Sequence, residues 1–287
     1  HPCSEEALEV TMEARAERLI EPVLVGPPAR IRAISERANI DLTGLEIVET
    51  EHSHASAKAA VDLVRAGRAV ALMKGSLHTD ELLHAVLDKE SGLRTERRVS
   101  HVFALDVPSY PRPLMITDAA VNIYPKFADK RDIVQNAIDL AHTIGIASPR
   151  VAILSAVETV NPEIVSTIDA AALCKMAERG QITGGLLDGP LAFDNAVSPE
   201  AARIKGIDSP VAGRADILVV PDLEAGNMLV KQLTFLADAD SAGIVLGARV
   251  PIVLTSRADS VRNRLASLAM GVLLVHRRER NGAVVPA

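Results

Sequence analysis

Short apolar runs that end abruptly in polar side chains and lead into a helical pattern recur along this chain, and that rhythm constrains the fold more than any other feature. The most informative instance is Gly247-Ala248-Arg249-Val250-Pro251-Ile252-Val253-Leu254-Thr255-Ser256-Arg257-Ala258-Asp259-Ser260. The run from Val250 to Leu254 reads as a buried strand, and behind it come a hydroxyl pair, a guanidinium and a residue able to cap a helix. α/β proteins deliver reactive side chains at such strand ends. The pattern also places Lys74-Gly75-Ser76 after Ala69 to Met73, Ser155 and Glu158 after Val151 to Leu154, and Asp222 after Ala215 to Val220. The expected fold is therefore α/β, with mostly parallel sheets covered by helices on both faces.

Taken in order, Leu8, Met12, Ala16 and Leu19 predict a helix over residues 4–20, followed by a strand at Val23 to Gly26 that Pro27-Pro28 breaks. Ala29 to Ala38 reads as helix and Leu45 to Val48 as strand. The helix from Ala55 to Ala66 stops at Gly67, a residue suited to a left-handed cap. Thr79 is placed to cap a helix running to Leu87, and such N-termini favour phosphate or carboxylate. Val102 to Val107 and Leu114 to Ile116 read as strands, and Asp132 to Ile144 and Thr167 to Arg179 as helices. Gly184 to Asp194 is too rich in Gly and Pro for a regular element. Gly226-Asn227 reads as opening a helix that includes Lys231, and Asp259 to Val275 as the closing helix.

At 287 residues and 48% hydrophobic, the chain suits two lobes better than one small domain, and a composition shift at Arg94 to Arg98 puts a boundary near residue 95. No apolar stretch approaches the roughly 18 to 20 residues needed to span a bilayer. No membrane segment is expected, and His1-Pro2-Cys3 shows no leader. Two cysteines make no disulfide framework and suit a reducing cytoplasm. A net charge of -6, with no Trp, two Tyr and four Phe, argues against nucleic acid as a partner.

The chemistry is narrowed by what is missing. Neither a dinucleotide nor a P-loop glycine fingerprint occurs, and the eight His are scattered without metal-ligand spacing, so no dedicated metal site is expected. Cys174 sits beside Leu173 and Ala177 at core-like spacing. Ser256, Arg257 and Asp259 admit two readings. One is a helix cap with a surface Arg; the other is an anion site in which Arg257 grips phosphate and Ser256 faces a developing oxyanion.

The ordered set Leu72-Met73-Lys74-Gly75-Ser76 with Thr79-Asp80, Arg97-Arg98-Val99-Ser100-His101-Val102, Thr117-Asp118-Ala119-Ala120-Val121-Asn122 and Ser155-Ala156-Val157-Glu158 is specific where each motif alone is weak. It continues through Asp188-Gly189-Pro190-Leu191-Ala192-Phe193-Asp194, Pro221-Asp222-Leu223-Glu224-Ala225-Gly226-Asn227 with Lys231, and Thr255-Ser256-Arg257. Over nearly its whole length the chain resembles the phosphate acetyl/butyryltransferase family, and within it the phosphotransacetylase-like half of bifunctional enoyl-CoA hydratase/phosphate acetyltransferases.

That resemblance implies two αβα three-layer lobes with an interdomain cleft, of the isocitrate/isopropylmalate dehydrogenase-like kind. The first lobe would be residues 1–95 with 247–287, carrying the Ser-Arg site, and the second residues 96–246. It implies reversible acyl transfer between CoA and phosphate, with CoA as substrate, no tightly bound cofactor, no required metal or acyl-enzyme, and a homodimer. Ser256 and Arg257 match the family's pair at the acyl carbonyl and phosphate. Lys74, Gly75, Ser76, Thr79, Arg98, Asp118, Asn122, Glu158, Asp188, Gly189, Asp194, Asn227 and Lys231 become substrate-binding candidates. Two positions depart from the acetyl-specific pattern. Asn263 stands where a proposed thiol base would be Asp, which makes Asp259 the substitute base. Leu83 replaces a phosphate-side Arg, leaving Arg98, Lys74 or Lys231 to complete the anion site. A metal- or NAD-dependent hydroxyacid dehydrogenase of the related fold, or a non-catalytic CoA or acyl-phosphate binding protein, is the alternative.

Overall fold

Ser4 starts the first helix: its side chain accepts a hydrogen bond from the Ala7 N–H, and α1 (Glu5–Ala16) then turns Leu8, Val10 and Ala14 inward. The computed structural model describes residues 1–255, 259–280 and 282. It divides into two units, His1–Arg97 with Ala242–Ala287, and Arg98–Ser241.

In the first unit, β1 (Val23–Gly26) is followed by α2 (Pro28–Ala38), with Pro28 in the first helical turn, where its missing N–H costs nothing. β1 runs parallel to β2 (Glu46–Glu49). Cys3, Leu8, Leu24, Ile31 and Ile34 form the core beneath this pair. α3 (Ser53–Arg65) ends as expected, Gly67 taking a φ of 68°. The next strand is shorter than its apolar run: β3 is only Leu72–Met73. Ala69 to Ala71 and Val23 to Val25 both line a cavity of about 490 Å³, and among the described residues β3 pairs with β10 alone. α4 (Thr79–Leu87) is capped by His78 rather than Thr79, and the His78 N–H donates to Glu81 Oε2 at 2.9 Å.

The second unit opens with β4 (Ser100–Asp106), antiparallel to β5 (Leu114–Thr117), and α5 (Phe127–Thr143). β6 (Arg150–Leu154), α6 (Val165–Glu178) and β7 (Leu186–Leu191) follow. β7 corrects the expectation of an irregular segment between Gly184 and Asp194. It pairs with β6 alone, and an edge strand tolerates the Gly189-Pro190 step, which coincides with a register shift between Ala152 and Leu154. Two short helices, α7 (Phe193–Val197) and α8 (Pro199–Ile204), were not anticipated. β8 (Ile217–Val219) inserts between β5 and β6, parallel to both. α9 (Leu223–Leu236) begins before Gly226, because Asp222 caps it by accepting the Ala225 N–H at 2.9 Å. Gly226 is a packing residue inside that helix: a Cβ there would meet Val220 Cγ2 at 2.8 Å and Ala119 Cβ at 2.9 Å.

The chain returns through β9 (Asp240–Leu246), antiparallel to β10 (Ile252–Val253), which lies parallel to β3. α10 spans Val261–Arg280, later at both ends than expected, and Ser260 Oγ accepts the Asn263 N–H at 3.1 Å. The architecture is α/β with mostly parallel strands, as expected, with β9–β10 and β4–β5 paired antiparallel. No described helix is long and apolar enough to cross a membrane.

Candidate active site

The parallel register Leu72↔Ile252 and Met73↔Val253 ends both strands at the same level. The Lys74 N–H continues the ladder by donating to Val253 O at 3.0 Å, so Lys74-Gly75-Ser76 emerges beside Leu254-Thr255. About 180 residues of sequence separation thus collapse into one strand-end cluster. Gly75 must be Gly, because a Cβ would collide with the His1 carbonyl. Ser76 fixes the loop: its N–H and Oγ both donate to His1 O, at 2.9 and 3.0 Å, and Oγ accepts the Cys3 N–H at 3.1 Å. Lys74, buried, donates from Nζ to Leu77 O at 3.2 Å and Gly75 O at 3.4 Å.

A cavity of about 590 Å³ opens at this level, lined by Lys74, Ser76 and Thr255 together with Arg30 and Arg264. Thr79, the first residue of α4, lies outside that lining. Asp259 is half-buried before α10, and Asn263 is buried on its first turn. Ser256 and Arg257 lie outside the described residues. They follow Thr255 directly in the sequence.

In the second unit, the ends of β5 and β8 gather Asp118, Asn122 and Asn227. Asp118, buried, accepts the N–H groups of Ala120, Val121 and Asn122 at 3.0, 3.0 and 3.1 Å and the Asn122 side-chain amide at 2.5 Å. Burial raises its pKa against those hydrogen bonds. Asn122 also donates to Val99 O at 2.9 Å and accepts Arg98 Nε at 2.7 Å. Arg98, half exposed, is held in turn 3.7 Å from Asp129. Asn227 donates to Ala119 O at 3.2 Å, and Lys231 is exposed one turn further along α9.

A separate group joins Glu158 to Asp194. Lys205 Nζ lies 3.1 Å from Glu158 and 3.5 Å from Asp194, and this contact, more than any other, holds the Glu158 carboxyl below its usual range. Asn195 Nδ2 reaches Glu158 at 3.4 Å. Asp188 accepts the N–H of Gly189 at 2.8 Å, and a Cβ on Gly189 would meet Ile153 O at 2.7 Å, which gives that glycine a packing reason. Burial first, with Asp188 and Glu178 adding, pushes the Cys174 thiol up to about 12, which disfavours its thiolate form.

Sequence reasoning missed Arg264, Arg30 and Lys205. For Arg264 a signal existed. It shares a helical stripe with Leu268 and Gly271, both buried, so it lies on the inward face of α10. Among the described residues, no three His, Cys, Asp or Glu side chains form a metal-ligating group.

The chain matches the family described as Phosphate acetyl/butaryl transferase over residues 55–272. It is 66% identical over 278 residues to a phosphate acetyltransferase of Rhizobium meliloti, covering 97% of this chain and 88% of that protein. It is 44% identical over 275 residues to a phosphate butyryltransferase of Clostridium beijerinckii, covering 96% and 91%. Among solved structures, a branched-chain phosphotransacylase from Enterococcus faecalis V583 superposes with a TM-score of 0.81 at 32% identity, over 96% of each chain. This chain belongs to the phosphate acetyl/butyryltransferase family.

Proposed function

We propose that the chain is a phosphate acyltransferase that moves a short acyl group, acetyl or butyryl, reversibly between the sulfur of CoA and inorganic phosphate. One observation carries the reading: β3 pairs with β10 so that Lys74-Gly75-Ser76 stands beside Thr255 at a cavity with cationic lining. Its relatives support the same reaction class, and the dehydrogenase and non-catalytic alternatives are not favoured.

Towards acyl-CoA, the CoA thiolate attacks the acyl carbon of acyl phosphate. The new S–C bond forms, the C–O bond to phosphate breaks, and phosphate departs with the electron pair. Ser256 is assigned to the acyl carbonyl oxygen, where a preorganised donor matters most, and Arg257 with Lys74 to the phosphate. A free thiol with a pKa of about 8.5 needs a proton acceptor. Asp259 takes that role, since the Asn263 amide is not basic. In the second unit, Arg98, Asn227 and Lys231 are assigned to substrate, and Asp118 with Asn122 to holding Arg98.

The unit His1–Arg97 with Ala242–Ala287 is on this reading the lobe that carries the chemistry. A cytoplasmic location accords with the free cysteines Cys3 and Cys174, and the working form is taken as a homodimer, which light scattering checks. The test of function is thiol release from a panel of C2 to C6 acyl-CoAs on adding phosphate. Phosphate-dependent release is expected for at least one short chain; none, with CoA binding intact, overturns the proposal.

A further inference from the structure

His1 is tied into the strand-end cluster of the first unit, yet its imidazole has no part in the mechanism above. Its carbonyl accepts the N–H and the hydroxyl of Ser76, and its ring Nδ1 lies 2.9 Å from Ser56 Oγ. A Cβ on Gly26 would stand 3.7 Å from that Nδ1, so the ring sits where β1 ends. His1 also lines the 590 Å³ cavity, along with Lys74, Ser76 and Thr255. The charged groups on the same lining are Lys74, Arg30 and Arg264, with Glu6 and Glu81. The His1 amine adds a further basic group, which burial above all lowers to about 6.

The hydroxyls beside the ring assign its tautomer. Ser56, buried in α3, has a single hydroxyl proton and donates it to His52 O at 3.0 Å. Its oxygen therefore accepts from Thr50 Oγ1 at 2.7 Å and from the His1 Nδ1–H. With the proton on Nδ1, the neutral ring keeps its lone pair on Nε2, which has no protein partner among the described residues. An imidazole anchored through Nδ1–H is a proton acceptor held in one orientation.

The reaction calls for such a group on the phosphate side. Near neutrality inorganic phosphate carries a proton that its acyl ester, the stronger acid, gives up. As a phosphate oxygen attacks the acyl carbon, the O–C bond forms and the S–C bond breaks, its electron pair going to sulfur. We propose that His1 Nε2 takes the phosphate proton in that step and returns it to the departing phosphate in the direction of acyl-CoA. The thiol proton is exchanged separately with Asp259, so phosphate loses one proton as the thiolate gains one. The inference rests on the acyltransferase reading and deepens it by giving phosphate its own acid–base residue.

Rates of acyl phosphate formation from acyl-CoA and inorganic phosphate, measured across pH for wild type, His1→Gln and Ser56→Ala, test it. His1→Gln should lower kcat about 100-fold, with KM for acyl-CoA within about twofold of wild type. The ionisation of phosphate and the His1 amine are common to both proteins and cancel from the ratio of their rates. That ratio should fall as pH drops through the range where an imidazole protonates. Ser56→Ala keeps the ring but loses the anchor on Nδ1, and its kcat should lie between the two. Nitrogen NMR of the His1 ring in the wild-type protein, with and without inorganic phosphate, gives an arm independent of turnover. The Nδ1–H tautomer is expected, with the Nε2 signal moving when phosphate is added. The Nε2–H tautomer, or a ring signal indifferent to phosphate, overturns the assignment, and so does an unchanged kcat or a rate ratio flat with pH. Should His1→Gln fail to fold, the NMR arm still decides. Should wild type transfer no acyl group, the acyltransferase reading fails by itself, and the response of Nε2 to phosphate still decides whether His1 meets that anion.

Discussion

Both units place polar residues at the ends of parallel strands, yet they use them differently. In the second unit Asp118 accepts three backbone N–H groups and an amide, Asn122 bridges it to Arg98, and Lys205 ties Glu158 to Asp194. There the polar groups satisfy one another. In the first unit Lys74, Arg30 and Arg264 line an open cavity beside Thr255, together with Ser76 and Glu81. A self-satisfied network organises loops, whereas like charges gathered on a cavity invite a ligand of opposite sign.

The largest expected effect probes the cation side. Arg257→Gln should lower kcat/KM for phosphate about 100-fold or more while leaving the unfolding midpoint near that of wild type. A stability loss as large as the activity loss would erase the distinction between the units. Next comes the framework side: Asp118→Ala strands three N–H groups, that of buried Asn122 among them, and should cost about 3 kcal/mol in urea unfolding. A stable Asp118→Ala protein with its activity abolished would instead move Asp118 into the chemistry.

The smallest effect concerns His101, buried against Phe103 with ring centroids 4.3 Å apart. Burial drives its pKa down to about 3 from an ordinary 6.5. Below about 6.5 the unfolded chain takes up a proton that the folded ring refuses until about pH 3. Stability therefore falls as pH drops through that window, by about 2 kcal/mol from this group between pH 7 and 5. His101→Leu should flatten the acid limb of thermal stability against pH. An unchanged limb would assign the acid sensitivity to other groups.

Much of the fold was legible because burial and periodicity coincide. β1, β6 and the Gly67 stop emerge where apolar runs and a left-handed cap leave one option. β7 was illegible because its Gly189-Pro190 step is tolerated only by edge pairing with β6, which no local pattern announces. Gly226 misled for a related reason: it answers to Ala119 and Val220, residues distant in sequence, rather than to a helix start. At the site, hydroxyls and cations just after strands were readable, since Lys74 to Ser76 and Thr255 follow apolar runs directly. Arg264 was passed over, because a charged residue within a helix reads as solvent-facing unless its stripe with Leu268 and Gly271 is weighed against it.

The central claim is that phosphate binds at the strand ends of the first unit. A crystal structure of the enzyme grown with inorganic phosphate tests it most directly. The account predicts phosphate within hydrogen-bond reach of the Lys74-Gly75-Ser76 loop. Phosphate held instead by Arg98 or Lys205 in the second unit, with the first-unit cavity free of it, would contradict the account.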